Sequence, residues 1–335
     1  LAGPAAGQPV RGGALPQRFP PDNWWNVDVS AAPVDPASAS YIQFVGPTRG
    51  LHPDFGGDDE ESPPGIYGMV YVTVGGDQPL VPVAFDYDDE SDAGAPGRPT
   101  GYPIPAEAKT QTKWIEGGYA GNSGAGGDKH LLVIDRDNRL LFETWNTRCL
   151  PTGSPSCSWR AGSGAVFSLD SNGRRPEGWT SADAAGLAVL PGLVRYDEAF
   201  GSGPIRHAFR VTVRATNGYV WPASHVAGST SGALPMGARL RLKAGKDISG
   251  YPAHVQRIFQ AMKTYGLIVA DNGSDMYVQG AYDTSWDNGV LNPAFGSLVA
   301  GDFEVLQLGW KPAAGSSAGP AGFHALAPCR VADTR

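Results

Sequence analysis

The chain has 335 residues, of which 41% are hydrophobic and 18% charged, so it is long enough to bury one large core or two modest ones. The net charge of −7 and the lack of a basic stripe argue against nucleic acid as a partner, and no run of about 18 apolar residues is present to cross a membrane. The 46 glycines and 29 prolines are spread along the whole sequence, which favours a loop-rich β protein over a disordered chain. We therefore predict a mainly β protein, an antiparallel β-sandwich of jelly-roll type with one or two short helices and long loops.

Residues 1–40 are rich in Pro, Ala and Gly and predict an extended N-terminal arm laid over the body. Trp24 and Trp25 are the residues expected to pin this arm down. The first residues contain neither Met nor a basic-then-apolar stretch, which is the pattern expected after removal of a signal peptide. Residues 41–310 are expected to form a single β-sandwich domain that carries the catalytic or binding site.

The first predicted hairpin joins two β-branched and aromatic runs, residues 66–74 and 80–85. The turn chemistry of Gly75-Gly76-Asp77 separates them. An acidic loop, residues 86–92, follows.

The clearest hairpin pairs residues 130–135 with residues 140–145. Asp137 and Asn138 suit a two-residue turn, and that register places Leu132 opposite Glu143. Alternation then divides the hairpin into two faces. One face holds His130, Leu132, Ile134, Leu141, Glu143 and Trp145; the other holds Leu131, Val133, Leu140 and Phe142.

The second half of the chain predicts further strands and one convincing helix. Residues 205–214 and Val220-Trp221 form a hairpin around Asn217-Gly218, because Asn-Gly is a strong turn signal. Residues 236–243 alternate as a strand. Apolar residues at helical spacing follow Pro252 and end at Gly266, and residues 267–270 continue as a buried strand. A short helix is also expected at residues 181–185, capped by Ser181.

The cysteines indicate the compartment. Cys149 and Cys157 bracket a turn-rich loop, so we predict a disulfide between them and an oxidising, extracellular location. Two free thiols in a mobile loop are the alternative. Cys329 has no partner left among the three cysteines. We expect a secreted monomer.

The end of the chain predicts a linker and then a second module. Residues 311–322 have the composition of a flexible linker. Residues 323–335 contain Pro328-Cys329-Arg330-Val331-Ala332-Asp333-Thr334-Arg335, a Pro-Cys-Arg-x-x-Asp-Thr-Arg pattern. This segment resembles the opening of a C-terminal module of secreted bacterial proteins, and the body of the chain resembles secreted bacterial β proteins. The resemblance implies a modular extracellular parent whose last domain is missing here, which would explain an unpaired Cys329.

The face that holds His130, Glu143 and Trp145 is the first candidate site. An indole that stacks on a sugar ring also desolvates a neighbouring carboxyl, which then keeps its proton near neutral pH. We expect Glu143 to act as the acid/base, with His130 orienting it. Glycosidases need a second carboxyl, for which Asp183 and Asp271 are the candidates. The alternative is a polar margin on a hairpin that faces the core. We accordingly expect a secreted polysaccharide-active enzyme, a glycoside hydrolase that needs no cofactor.

Binding of a polysaccharide or oligosaccharide also requires aromatic platforms and polar side chains next to them. Tryptophans beside polar clusters are the platform candidates, with an arginine to stabilise charge. These substrate-binding candidates are Trp145, Trp179, Trp221, Trp286 and Arg239. A protein that binds sugars without cleaving them, or a cell-surface structural protein, is the second hypothesis.

A metal site is the third hypothesis. His207 and His225, with His130 and Glu143, could hold a transition metal in an oxidoreductase or lyase, although no dense ligand motif is present. Separate, hydrogen-bonded histidines are the alternative. Asp86 and Asp88 offer oxygen ligands for calcium, or belong to a solvated acidic turn.

Overall fold

The computed structural model describes residues 10–11, 15, 19–94 and 97–312. Within these residues, strands greatly outnumber helices. The helices are α1 (Ser38–Val45), α2 (Tyr196–Ala199), α3 (Ala253–Thr264) and α4 (Asn288–Gly296), with single 3-10 turns at Asp88–Glu90, Ala106–Lys109, Leu190–Gly192 and Ala300–Asp302. The strands are β1 (Val10–Arg11), β2 (His52–Asp54), β3 (Tyr71–Val74), β4 (Val83–Phe85), β5 (Leu131–Asp135), β6 (Leu140–Trp145), β7 (Arg148–Leu150), β8 (Ser158–Ala161), β9 (Ser163–Ser168), β10 (Phe209–Val213), β11 (Arg239–Leu242), β12 (Leu267–Asn272), β13 (Tyr277–Gln279) and β14 (Phe303–Val305).

The described strands form three sheets, and the mainly β class with short helices is confirmed. The first sheet has the order β1-β3-β5-β6-β9, the second β14-β11-β12-β10-β13-β2, and the third β4-β8-β7. Antiparallel pairing holds for β5-β6, as expected of a hairpin, and for β6-β9. The sheets are nevertheless mixed, because β3-β5, β10-β12, β13-β2 and β4-β8 are parallel pairs. Parallel neighbours require long connections, and the Gly- and Pro-rich loops supply them.

The first sheet lies between the other two, and both of its faces are buried. Leu132, Ile134 and Leu141 belong to the core that also contains side chains of β10, β11 and β12. Val133 and Phe142, on the opposite face, pack in a second core with side chains of β4 and β8. The predicted register is confirmed, since Leu132 pairs with Glu143 and Asp135 with Leu140.

Several local predictions hold. Helix α3 follows Pro252 and is succeeded by Gly266, whose φ of 77° is the left-handed conformation expected of a helix-ending glycine. Strand β12 then begins directly at Leu267. Trp24 and Trp25 are buried, at 4% and 0% exposure, so they anchor the part of the N-terminal segment that follows residue 19. Most of residues 1–18 of the predicted arm lies outside the described residues.

Two predicted hairpins are wrong. β3 and β4 flank Gly75-Gly76-Asp77, yet they lie in different sheets, because β3 pairs with β5 and β4 with β8. Residues Val220 and Trp221 form no strand beside β10, which pairs with β12 and β13 instead. The turn at Gly75-Gly76-Asp77 is present, since the Gln78 N–H bonds Gly75 O at 3.1 Å, but the strands on either side of it pair elsewhere. No such turn forms at Asn217-Gly218, whose N–H groups bond Leu234 O and Gly228 O instead.

The Cys149–Cys157 disulfide is present. No helix in the described residues is long and apolar enough to cross a bilayer. Most of the predicted linker, Cys329 and the 323–335 segment lie outside the described residues.

Candidate functional site

A cavity of about 390 Å³ opens where several strands end. Its volume falls within the range of about 300–1,000 Å³ that is usual for small-ligand sites. Trp145 at the end of β6, Ser163 at the start of β9, and Asp271 and Asn272 at the end of β12 contribute to the lining. The rest of this acidic cavity, as we call it, consists of Tyr87, Glu90, Asp128, Thr180, Ser181, Ala182, Asp183, Ala184 and His225.

Aromatic rings form one wall of the acidic cavity. Tyr87 and Trp145 are stacked, with ring centroids 6.5 Å apart and planes inclined by 24°. The indole lies against Gly162, where a Cβ atom would collide with its six-membered ring. Trp145 Nε1 donates a hydrogen bond to Asp128 Oδ1 at 3.3 Å. The indole is therefore fixed with a carboxylate at its edge, an arrangement suited to a sugar ring and its hydroxyl groups.

Two of the predicted carboxyls, Asp183 and Asp271, meet at the buried Arg210. Arg210 Nη2 lies 2.7 Å from Asp183 Oδ1 and 4.0 Å from Asp271 Oδ2. Asp183 and Arg210 are fully buried, whereas 31% of the Asp271 side chain is exposed to the cavity side. Asp271 is thus the carboxyl of this cluster that a substrate can reach.

A β-bulge explains how Asp271 reaches the face of the sheet that carries Arg210. β10 and β12 run parallel, and their register shifts between Val211, which pairs with Val269, and Thr212, which pairs with Asp271. Without the extra residue in β12, Asp271 would lie opposite Val213, on the other face of the sheet. Bulges commonly redirect a side chain in this way next to functional sites.

Burial shifts the pKa values of both carboxyls upward. Burial raises the pKa of Asp183 to about 6, although the Arg210 guanidinium acts in the opposite direction. Burial likewise raises the pKa of Asp271 against the influence of Arg210. A partly exposed carboxyl with a raised pKa is suited to general acid catalysis.

The loop of residues 180–184, which forms part of the lining, is held by side chains rather than by a helix. Ser181 Oγ accepts a hydrogen bond from the Asp183 N–H at 2.9 Å, as a helix cap would. The predicted helix at residues 181–185 is absent, however, because the chain closes a tight turn in which the Gly186 N–H bonds Asp183 O and the Ala185 N–H bonds Ala270 O. Ser163 Oγ further donates to Ser181 O at 2.5 Å.

His130 and His225 both form hydrogen bonds with backbone carbonyl groups of this loop. His130 Nε2 donates to Ala182 O at 2.9 Å, and its Nδ1 donates to Glu116 Oε2 at 2.6 Å. Since both partners are acceptors, both ring nitrogens carry protons. Burial acts to lower the pKa of His130, but the Glu116 charge and hydrogen bond raise it to about 9. His225 Nδ1 donates to Ala184 O at 2.8 Å, and its Nε2 lies 3.8 Å from Glu90 Oε2.

Glu143 does not line the acidic cavity. It has no exposed surface, and its two carboxylate oxygens accept hydrogen bonds from the N–H groups of Val189 and Leu190 at 2.8 and 2.9 Å. Burial raises its pKa to about 7 despite these donors. The predicted His130–Glu143–Trp145 face exists in register, but of its polar members only Trp145 reaches the cavity. His130 and Glu143 occupy structural positions beneath it.

The other platform candidates lie outside the acidic cavity lining. The Arg98 guanidinium covers the Trp179 ring at 3.8 Å from its centroid. Trp286 is 7% exposed and packs against Phe55 in the core. Trp221 contacts Trp24 edge-on at 6.2 Å, and Arg239 donates to the Trp24 carbonyl. Of the predicted tryptophans, Trp145 alone lines this cavity among the described residues.

The predicted metal ligands are dispersed. His207 donates to Ala208 O and bonds Glu198 Oε2, each at 2.8 Å, and shares neither partner with His130 or His225. Asp86 pairs with Arg148 and Arg160, and Asp88 is exposed in the adjoining 3-10 turn. Across residues 10–11, 15, 19–94 and 97–312, no group of three or more His, Cys, Asp or Glu side chains is placed to hold a metal ion.

Sequence reasoning missed several residues of the acidic cavity. Tyr87 and Glu90 belong to the acidic loop, which the sequence marks only as a calcium site or a solvated turn, and Asp128 ends a glycine-rich stretch that carries no motif. Arg210 is one of the polar residues that alternate with apolar residues along β10, and nothing in that pattern marks it as a site residue. Proximity of these residues depends on strand order, which no local pattern encodes.

Comparison of the chain with protein-family models, curated proteins and solved structures finds no match. Its function must therefore be inferred from the geometry of the acidic cavity.

Proposed function

We propose that the chain is a glycoside hydrolase that binds its sugar substrate in the acidic cavity. The observation that supports this most is the partly exposed Asp271, whose pKa is raised by burial, in the same cavity as the stacked Tyr87 and Trp145. Aromatic faces bind the apolar faces of sugar rings, and a protonated carboxyl is what cleavage of a glycosidic bond requires.

In this proposal Asp271 is the general acid, which donates its proton to the departing glycosidic oxygen. Asp128, which accepts a hydrogen bond from Trp145 Nε1, supplies the second carboxylate. This carboxylate either activates a water molecule or attacks the sugar. Asp183 and Arg210 act behind Asp271 as positioning residues, since neither has exposed surface. This assignment replaces Glu143 as the acid, because Glu143 is sealed beneath the cavity.

The disulfide supports a location outside the reducing cytoplasm, where polysaccharide-degrading enzymes work. We therefore propose secretion together with the hydrolase activity.

The test is a panel of polysaccharides, read by release of reducing ends and by mass spectrometry of the products. Wild-type protein is expected to shorten at least one polysaccharide by hydrolysis. Asp271→Asn is expected to lower the rate by about 100-fold or more, because the amide cannot donate the proton. Asp77→Asn is the matched control, since Asp77 is an exposed acid outside the cavity lining, and it is expected to retain the wild-type rate.

Binding without release of reducing ends would replace the hydrolase proposal with a sugar-binding protein. Wild-type rates in Asp271→Asn, with circular dichroism confirming the fold, would overturn the role of Asp271.

A further inference from the structure

The lining of the acidic cavity is strongly asymmetric in charge. Its carboxyl groups belong to Glu90, Asp128, Asp183 and Asp271. Among the described residues, the lining contains no Lys or Arg, and His225 is its one basic side chain. Arg210 lies behind Asp183 with no exposed surface, so its charge is not available to a ligand.

The described cavity lining also contains hydrogen-bond acceptors that lack a donor. Asp183 Oδ2 is buried and has no hydrogen-bond partner, and within the described chain the same is true of Asn272 Oδ1. Both residues line the cavity, but the Asp183 side chain has no exposed surface, whereas Asn272 is partly exposed. Buried acceptors without donors cost free energy, about 1–3 kcal/mol each, unless a ligand or water supplies the missing donor.

The serine and threonine hydroxyl groups of the lining already have partners. Ser163 Oγ donates to Ser181 O, Ser181 Oγ to Leu187 O at 2.6 Å, and Thr180 Oγ1 to Asp183 O at 3.2 Å. Trp145 Nε1 donates to Asp128. The cavity therefore presents free acceptors and few free donors.

We propose that the acidic cavity selects a saccharide that carries a free, protonated primary amine. This inference rests on the proposed function, and it names the substrate class. An ammonium group offers donors and no acceptor, which is the complement of this lining. It also interacts favourably with carboxylates and with the faces of Tyr87 and Trp145. An N-acetyl group in its place would bring a carbonyl acceptor among carboxyl oxygens, and a hydroxyl would contribute no charge.

The experiment is calorimetric titration of the protein with tetramers of glucosamine, N-acetylglucosamine and glucose at about pH 6, below the usual pKa of an amine. The glucosamine tetramer is expected to bind at least about tenfold more tightly than the neutral tetramers, with an affinity that falls as salt is added. Glu90→Gln, which removes one lining charge, is expected to reduce the preference, whereas Asp77→Asn keeps it.

Equal or tighter binding of either neutral tetramer, or no binding of any of the three, would overturn the inference. Its failure is distinguishable from failure of the proposed function. Cleavage of a neutral polysaccharide without amine preference supports the hydrolase and contradicts the amine. Amine-selective binding with no cleavage of any polysaccharide supports the amine preference and contradicts the hydrolase.

Discussion

Arg210 Nη2 donates a hydrogen bond to Asp183 Oδ1 across 2.7 Å, and neither side chain has any exposed surface. The pair joins strand β10 to the loop of residues 180–184, on which part of the cavity lining depends. Removal of one partner of a buried ion pair destabilises a fold strongly, because an uncompensated charge then remains in the interior.

Arg210→Met is therefore expected to destabilise the protein by about 3–5 kcal/mol at neutral pH. Urea unfolding is the measurement. Because burial already raises the pKa of Asp183 to about 6, acidification neutralises the orphaned carboxyl, and the loss should be smaller at about pH 5.

The double variant Asp183→Asn/Arg210→Met is the control, since it removes both charges. It is expected to recover part of the stability lost in Arg210→Met. A double variant less stable than the sum of the two single changes would contradict the assignment of this pair.

Glu143 predicts a second, pH-dependent effect. Its pKa is raised by burial from 4.5 to about 7, so the folded protein keeps a proton that the unfolded chain releases. The stability that this group contributes is present in full below about pH 4.5 and is lost as the pH rises through about 7.

Glu143→Gln removes this titration and leaves one of the N–H groups of Val189 and Leu190 without an acceptor. We expect it to be less stable than wild type by about 1–3 kcal/mol in acid, and the difference to shrink between about pH 5 and pH 8. Thermal unfolding of both proteins across that range is the measurement. His130 titrates in both, so its contribution cancels, and a difference that widened with pH would refute the raised pKa.

Trp145 predicts an effect on binding rather than on folding. Trp145→Ala removes the ring that stacks with Tyr87 and lies at the cavity, so affinity for the oligosaccharide should fall about tenfold, equivalent to about 1.4 kcal/mol. Trp310→Ala, a partly buried tryptophan outside this cavity, serves as the control and should bind normally. Calorimetric titration measures both; equal losses in the two variants would argue against Trp145 as a platform.

Removal of the Cys149–Cys157 disulfide is expected to lower the stability of the protein without affecting its activity. Replacement of Cys149 and Cys157 by serine opens a loop with a sequence separation of 8, for which loop entropy predicts a loss of about 2–3 kcal/mol. Both sulfur atoms lie in the core between the first and third sheets, away from the cavity lining, so activity at low temperature should be retained. Urea unfolding and an activity assay of the same preparation test this; loss of activity in a folded variant would contradict it.

The parts of the fold that the sequence predicted are those determined by neighbours in the chain. The predicted register of β5 and β6 holds, although residues 136–139 form a four-residue turn with its positive φ at Arg139 rather than a two-residue turn at Asp137 and Asn138. Helical spacing likewise locates α3 between Pro252 and Gly266. The partners of β3 and β4 depend instead on residues far along the chain, so the turn at Gly75 and Gly76 was misleading. Burial, not turn chemistry, decides such pairings.

The candidate site shows the same division. Alternation correctly placed Glu143 and Trp145 on one face, but it could not show that this face is covered by a second sheet except at its end. Asp183 and Asp271 are candidate acids in the sequence, and their meeting at Arg210 depends on a bulge in β12 that has no sequence signature. Asp128 and Glu90 were missed as site residues because nothing local distinguishes them from solvated acids.

The most direct test of the central claim, that the acidic cavity is where the sugar is bound, is a crystal structure of Asp271→Asn with the oligosaccharide that the wild-type protein cleaves. We predict a sugar ring against Trp145 and Tyr87, with its glycosidic oxygen facing residue 271. An oligosaccharide bound elsewhere, with the acidic cavity empty, would contradict the account.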